Sequence, residues 1–320
     1  MTSDATRPAV SRRRFLGYVG IIAGATIMPA FRAQAMTPIK IGYTAGPEFG
    51  AAYIAKEKGF FAKHGLDVSL QTIALTSNVP ATLVSESLQI GGTTPPVFLT
   101  AVENGLDLVG IAATAGHRGA DESIGVVVGA KSGINDAKGL AGKKFAVPGL
   151  TGALHIMVVA WLDAHGVDAS SVDFVEVPFP QLPAVLAKGD VDAIVTIRAF
   201  VKSMVADGTG IAISGFAESF PDGIAADVYA CNRSWADANP DAINSFRAAL
   251  ADAVAFAKSN QAAARDAIGV YFKAPKEILD SMPFPDLQST LTPAQLKFWA
   301  DALVRQGYLK NTPDLGRLIA

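Results

Sequence analysis

A helix end, a glycine stop and the start of a strand occur together at residues 56–68, and a degenerate copy returns about a hundred residues later. The first reads Phe60-Phe61-Ala62-Lys63-His64-Gly65-Leu66-Asp67-Val68, the second Trp161-Leu162-Asp163-Ala164-His165-Gly166-Val167-Asp168. Gly65 and Gly166 suit the left-handed residue that ends a helix without a Cβ penalty. Two similar units imply two similar lobes, and two lobes imply a cleft.

The first 35 residues are expected to lie outside that fold. Ser11-Arg12-Arg13-Arg14-Phe15-Leu16 is a twin-arginine pattern, succeeded by an apolar, glycine-rich stretch from Gly17 to Ile27 and a small-residue cleavage site at Ala33-Gln34-Ala35. The stretch is short for a membrane span, and Pro29 and Arg32 interrupt the residues after it. Export with cleavage before Met36 leaves a chain long enough for two lobes. Losing five arginines and one aspartate moves the net charge from −2 to about −6. That balance argues against a nucleic-acid partner, which needs a basic footprint. Cys231 is the one cysteine. It excludes an internal disulfide and a thiolate metal cluster, and its apolar strand context reads as a small buried hydrophobe.

Strands and helices alternate along the mature chain. Strands are expected at 39–43, 67–73, 88–92 and 106–113, with helices at 50–63, 78–87 and from Pro95 through Asn104. The plan repeats with strands at 144–147, 172–177 and 191–196, a helix ending near His165, another through Ala187 and a third opening at Arg198. Thr94, Pro96 and Phe98 then fall opposite Thr196, Arg198 and Phe200. Such alternation implies mainly parallel sheets. Residues 124–130 and 227–232 are strand-like and are the candidates for paired crossover strands between lobes. The last ninety residues read as helical, with Asn239-Pro240 and the capping-box phrase Thr292-Pro293-Ala294-Gln295 as helix starts, packing back onto the first lobe.

No catalytic signature is present: G-x-S-x-G, H-E-x-x-H, the phosphate loop and G-x-G-x-x-G are all missing. The turn at Gly139–Lys143 has the wrong spacing for a phosphate loop. The four histidines show no metal-ligand spacing, and His64 and His165 sit at helix ends, where an imidazole suits the dipole. Four strand-to-helix loops carry small polar residues: Thr44 to Phe49 with Glu48, Thr93-Thr94, Gly149 to Ala153 with Thr151 and Gly152, and Thr196 to Arg198. In α/β lobes such loops lie at the carboxyl ends of strands, where ligands sit and helix N-termini favour anions. Each threonine taken singly reads as a helix cap. Arg198 is the sharpest candidate, since a guanidinium pairs bidentately with carboxylate, sulfonate or phosphate. His117 and Arg118 come after the fourth strand. They either reach a ligand or stay exposed. His155 and Lys202 are weaker candidates, and Phe49, Phe98 and Phe200 read as core before pocket lining.

Together these features resemble the periplasmic solute-binding proteins of ABC importers, in the nitrate/sulfonate/taurine and NMT1/THI5-like family, over nearly all of residues 38–319. The resemblance rests on Ile41-Gly42-Tyr43, Ala55 to Val68, Leu88 to Asp107, Ser132-Gly133-Ile134, Gly139 to Lys144, Gly189-Asp190-Val191-Asp192-Ala193, Asn239-Pro240 and Leu291 to Gln295. It implies an α/β, type II periplasmic binding protein fold: two Rossmann-like lobes joined by two hinge strands, the first comprising 36–128 and 226–320, the second 129–225. It further implies a monomer that closes on a small ligand and docks on an inner-membrane permease with its ATPase, after export by the twin-arginine translocase, with no cofactor. Many relatives carry a glutamate-proline pair where this chain has Thr196-Ile197-Arg198, and often an aspartate where it has Leu88 to Gly92. Both departures suggest a pocket poorer in acid and an organic carboxylate or sulfonate as ligand. The cysteine-rich motif of the pyrimidine-precursor enzymes on related folds is absent. An enzyme on the same fold acting on a small organic acid, or a sensor subunit, remain the alternatives.

Overall fold

The computed structural model describes residues 36–118, 124–215 and 220–320, so the expected export segment lies outside the described residues. The chain opens with β1 (Thr37–Tyr43), a 3-10 turn at Pro47–Phe49, α1 (Gly50–Glu57), α2 (Phe60–Lys63) and β2 (Leu66–Thr72). The single helix expected over 50–63 is therefore two, because Gly59 takes a left-handed φ of 74° that interrupts the helical backbone. Next come α3 (Val79–Val84), β3 (Ile90–Thr93), α4 (Pro95–Glu103) and β4 (Leu108–Gly116). The second half runs β5 (Ile124–Gly129), β6 (Lys144–Val147), α5 (Ala153–Ala164), β7 (Asp173–Glu176), α6 (Leu182–Lys188), β8 (Ala193–Ile197), α7 (Arg198–Ala206) and β9 (Gly210–Gly215). The sequence pattern assigned no strand to the last of these, a half-exposed edge segment flanked by glycines. The chain then passes through β10 (Ala225–Asn232), α8 (Arg233–Ala238), α9 (Pro240–Ser259), α10 (Gln261–Phe272), α11 (Lys276–Ser281), β11 (Asp286–Leu287) and α12 (Pro293–Arg305).

Two mixed sheets result. One has the order β11-β4-β10-β3-β1-β2, the other β7-β6-β8-β5-β9. Taken from the outer parallel strand, β2-β1-β3-β10-β4 matches β7-β6-β8-β5-β9 position for position. In the first sheet β1 pairs parallel with β2 and β3, while β10 runs antiparallel to β3 and β4. In the second, β6 pairs parallel with β7 and β8, while β5 runs antiparallel to β8 and β9. This corrects the expectation of paired crossover strands. β5 and β10 do not pair with each other; each is the first strand after a crossing and inserts into its own sheet. The backbones that do meet between the sheets are at His117 and Gly223–Ile224. There the His117 N–H donates to the Ile224 carbonyl and the Gly223 N–H to the His117 carbonyl, both at 2.8 Å.

Helices cover both faces of the first sheet, as parallel strands require. On one face α1, α2, α9 and α10 pack through stacked pairs, Phe61 on Phe246 at 6.0 Å and Tyr53 on Tyr271 at 4.9 Å. Cys231 is buried there, its thiol pushed up to about 12 by desolvation, as befits an inert apolar side chain. The C-terminal helices do return to the first half, but α12 also reaches the second. The Gln306 Nε2 donates to the Ile156 carbonyl of α5 at 3.0 Å. The expected capping box at Thr292 and Gln295 is formed, with Gln295 Oε1 2.8 Å from the Thr292 N–H. Asn239 does not act as the expected side-chain cap of α9, because its amide donates to the Trp235 carbonyl at 2.8 Å instead.

Trp299 on α12 is fully buried and donates its indole N–H to the Ala225 carbonyl at 2.8 Å, fastening the helix to the start of β10. Trp299→Ala is expected to cost about 3–5 kcal/mol by chemical denaturation. Trp299→Phe should cost less, about 1–3 kcal/mol, chiefly from the carbonyl left unpaired. Equal, small losses in both would show that this helix does not stabilise the sheet.

Candidate functional site

Loops at the carboxyl ends of strands from both sheets enclose a cavity of about 340 Å³. The first half supplies the Thr44–Phe49 loop after β1, Thr72 to Thr76 after β2 and Thr94 after β3. Gly116 to Arg118, at the end of β4 and into the crossing, continue the wall. The second half supplies Pro148, Gly149 and Gly152 after β6, Pro178 to Gln181 after β7, and Ile197–Arg198 at the junction of β8 and α7. Ala226 and Asp227 of β10, the segment Met282–Asp286 and Trp299 complete it. Most of this wall is apolar, with few polar groups, as in small-molecule sites generally. Across it the two halves nearly touch: a Cβ on Gly149 would lie 2.4 Å from Thr76 Oγ1.

Of the residues singled out from sequence, Thr44, Glu48, Phe49, Thr94, His117, Arg118, Gly152 and Arg198 line the cavity. Thr93, Thr151 and Thr196 do not. Alternation along β3 turns Thr93 away from Thr94, and its hydroxyl donates to the Thr76 carbonyl at 3.3 Å. Thr196 is wholly buried inside β8, opposite Gly125 of β5. Thr151 takes a left-handed φ of 57°, donates its hydroxyl to the Leu150 carbonyl at 2.6 Å, and gives its N–H to His155 Nδ1 at 2.9 Å. His155 is thereby a structural acceptor, and burial lowers its pKa to about 4. His64 and His165 are likewise anchored, on Asp252 Oδ2 and the Trp161 carbonyl, each at 2.8 Å. Phe98 is core, Phe200 packs on Phe179 at 5.9 Å between ring centres, and Lys202 is exposed.

The reading of Thr94 as a helix cap is not met. Its side chain makes no cap hydrogen bond to α4 and its Oγ1 is buried without a partner. Helix α4 also begins with Pro95 and Pro96, which have no N–H, so its N-terminus offers an anion fewer donors than an ordinary helix. Nor is the pocket poor in acid. Glu48, Asp227 and Asp286 line it beside Arg118 and Arg198. Asp286 Oδ1 holds the Arg118 guanidinium at 2.6 Å. Burial, and then the nearby Glu48 charge, hold the Asp227 carboxyl well above the usual range. Burial raises Glu48 too, opposed in part by a hydrogen bond from its own N–H. Asp227 escaped the sequence reading because it opens an apolar strand. A lone acid in such a run was itself the available signal, since an unpaired buried charge is costly.

This architecture, with matching sheets that each carry one antiparallel strand entered at a crossing and a cavity between them, is the type II periplasmic binding protein fold. The chain belongs to the NMT1/THI5-like family, whose profile matches residues 46–264. It is similar to a putative thiamine biosynthesis protein of Haemophilus influenzae, 26% identical over 186 residues. That match covers 57% of this chain and just over half, 56%, of the relative. It is also similar to the taurine-binding periplasmic protein of Escherichia coli, 25% identical over 227 residues, 70% of this chain and 67% of that one. Among solved structures, the alkanesulfonate-binding protein SsuA from Xanthomonas axonopodis pv. citri, bound to MOPS, superposes with a TM-score of 0.72 at 16% identity. That superposition covers 89% of this chain and 98% of the other.

The Asp227 carboxyl has a folded pKa raised above its unfolded value, so its stabilising contribution is complete below about pH 4 and is lost as pH rises through the folded value. Asp227→Asn should therefore be more stable than the parent at pH 7. The gain should shrink to nothing near pH 3 in matched thermal melts; a pH-independent difference would refute the assignment. For His155, nitrogen NMR should show the neutral Nε2–H tautomer persisting well below pH 6.5, with protonation near pH 4.

Proposed function

We propose that this protein is the periplasmic substrate-binding component of an ABC importer. It captures a small organic solute bearing a carboxylate or sulfonate by closing its two halves over it. The carrying observation is the cavity itself: about 340 Å³, walled by strand-end loops from both sheets, with the Thr76 and Gly149 loops in contact across it. A ligand held between two halves, rather than on one, stabilises the closed form by its differential affinity for it. The crossings at His117 and Gly223–Ile224 form the hinge of that motion. In the second half, Arg198 and the first turn of α5 at Gly152 face the cavity and provide the cationic and N–H groups for the anionic end.

Family membership supports this reading, and so do the names of the similar proteins, one a taurine-binding and one an alkanesulfonate-binding protein. The twin-arginine pattern at Arg12 to Arg14 supports export to the periplasm, with cleavage after Ala35. The closed monomer then docks on an inner-membrane permease coupled to an ATPase.

Native mass spectrometry of the chain from Met36, purified gently from periplasm, tests the proposal. A retained small anion that is released unchanged on denaturation is the expected result. A bound solute recovered chemically altered would overturn it in favour of an enzyme. Closure has its own test. Gly149→Val places side-chain atoms where Thr76 now sits, so it should weaken solute affinity about tenfold or more, and small-angle scattering should show a more open chain with solute. Unchanged affinity and compaction would refute closure at this contact.

A further inference from the structure

On the cavity wall Asp227 and Thr94 are both nine-tenths buried; the Thr94 hydroxyl has no hydrogen-bond partner, and no side-chain hydrogen bond or ion pair engages the Asp227 carboxyl among the described residues. They are neighbours. The β10–β3 ladder ends with Val228 opposite Thr93, and Asp227 and Thr94 are the residues next to that pair in each chain segment. Glu48 lines the same wall from the β1 loop, close enough for its charge to act on Asp227. No lysine, arginine or histidine among the described residues pairs with either carboxyl, and the nearby cation Arg118 is engaged by Asp286.

Buried carboxyls without partners are destabilising, and a fold keeps them where something else supplies the missing donors and charge. Two carboxyls whose ionised form lacks a partner, beside an unpartnered hydroxyl, supply acceptors that complement a cationic N–H donor. We infer that the solute carries a positively charged nitrogen, a protonated amine or amidine, that docks on Asp227 and Glu48 with the Thr94 oxygen as a third acceptor. This rests on the cavity being the solute site, as proposed above. Joined to the anionic group assigned to the Arg198 side, it makes the solute a dipolar molecule spanning the two halves.

Calorimetric titration of the chain from Met36 at pH 7 with three kinds of probe tests it. The anion-only probes are 1-propanesulfonate and butyrate, the cation-only probe is propylamine, and the dipolar probes are 3-aminopropane-1-sulfonate and 4-aminobutyrate. The dipolar probes are expected to bind at least tenfold tighter than their anion-only counterparts. Asp227→Asn should abolish that preference, so that dipolar and anion-only probes bind alike. Glu48→Gln should reduce the preference, and thermal melts would verify that both variants fold. Anion-only probes binding as tightly as dipolar ones would overturn this inference and leave the anionic-solute reading standing. Propylamine binding without anion-only binding would support the inference and overturn the anionic assignment. Persistence of the dipolar preference in a folded Asp227→Asn, or no binding by any probe, would overturn it.

Discussion

Strand β10 supplies the backbone partners of both β3 and β4, and β5 does the same for β8 and β9. The five-stranded sheet is one run of chain, β5 to β9, but the six-stranded sheet is completed only when β10 and β11 return to it. Without β10 the six-stranded sheet has a gap between β3 and β4, which this antiparallel strand, arriving from the other half, fills. Unfilled, that gap would bury two rows of unpaired N–H and C=O groups, a cost no side-chain packing offsets. That insertion therefore ties the halves together and forces the chain to cross between the sheets in both directions. Those crossings run side by side at His117 and Gly223–Ile224.

The position of the cavity is a consequence of that constraint. The parallel strands carry their carboxyl ends and their strand-to-helix loops toward the side where the halves face each other. Such a rim is the natural ligand position of an α/β sheet. The polar groups on it are not optimised for stability. Asp227 and Thr94 are kept inside without partners, and Thr151 is held at a positive φ beside Gly152. Local violations of this kind cluster where function requires them.

Much of this was legible in the sequence. Helix α7 opens at Arg198 as the pattern predicted, the Thr292 capping box is intact, and Gly65 and Gly166 both take the left-handed φ read from the repeated phrase. These are local signals, decided within one turn of chain. Tertiary context decided the features that escaped. The break at Gly59 competes with a helical period that continues through it. β9 is an edge strand with a weak pattern. The insertion of β5 and β10 depends on partners a hundred residues away. For the site, periodicity could nominate loops but not the direction of a side chain. Thr93 and Thr94 are equivalent in composition, and only one faces the cavity.

The charge of the pocket shows how far local reading can mislead. Counting acids lost and a base gained at two segments, Leu88 to Gly92 and Thr196 to Arg198, suggested a site tuned for an anion. The assembled wall is polarised instead. Glu48, Asp227 and Asp286 come from the half built on the six-stranded sheet, where Asp286 holds Arg118, while Arg198 opens α7 in the half built on the five-stranded one. The helix that could have offset the acid on the first side, α4, begins with two prolines and lacks the leading N–H groups. In the open form that the proposed closure requires, the acidic wall would face water and its charges would be well solvated. Bringing them together removes that water and raises the cost of the unpaired carboxyls. On the proposed closure, the empty protein would be held open by the same groups that a dipolar solute would satisfy, which would couple occupancy to closure.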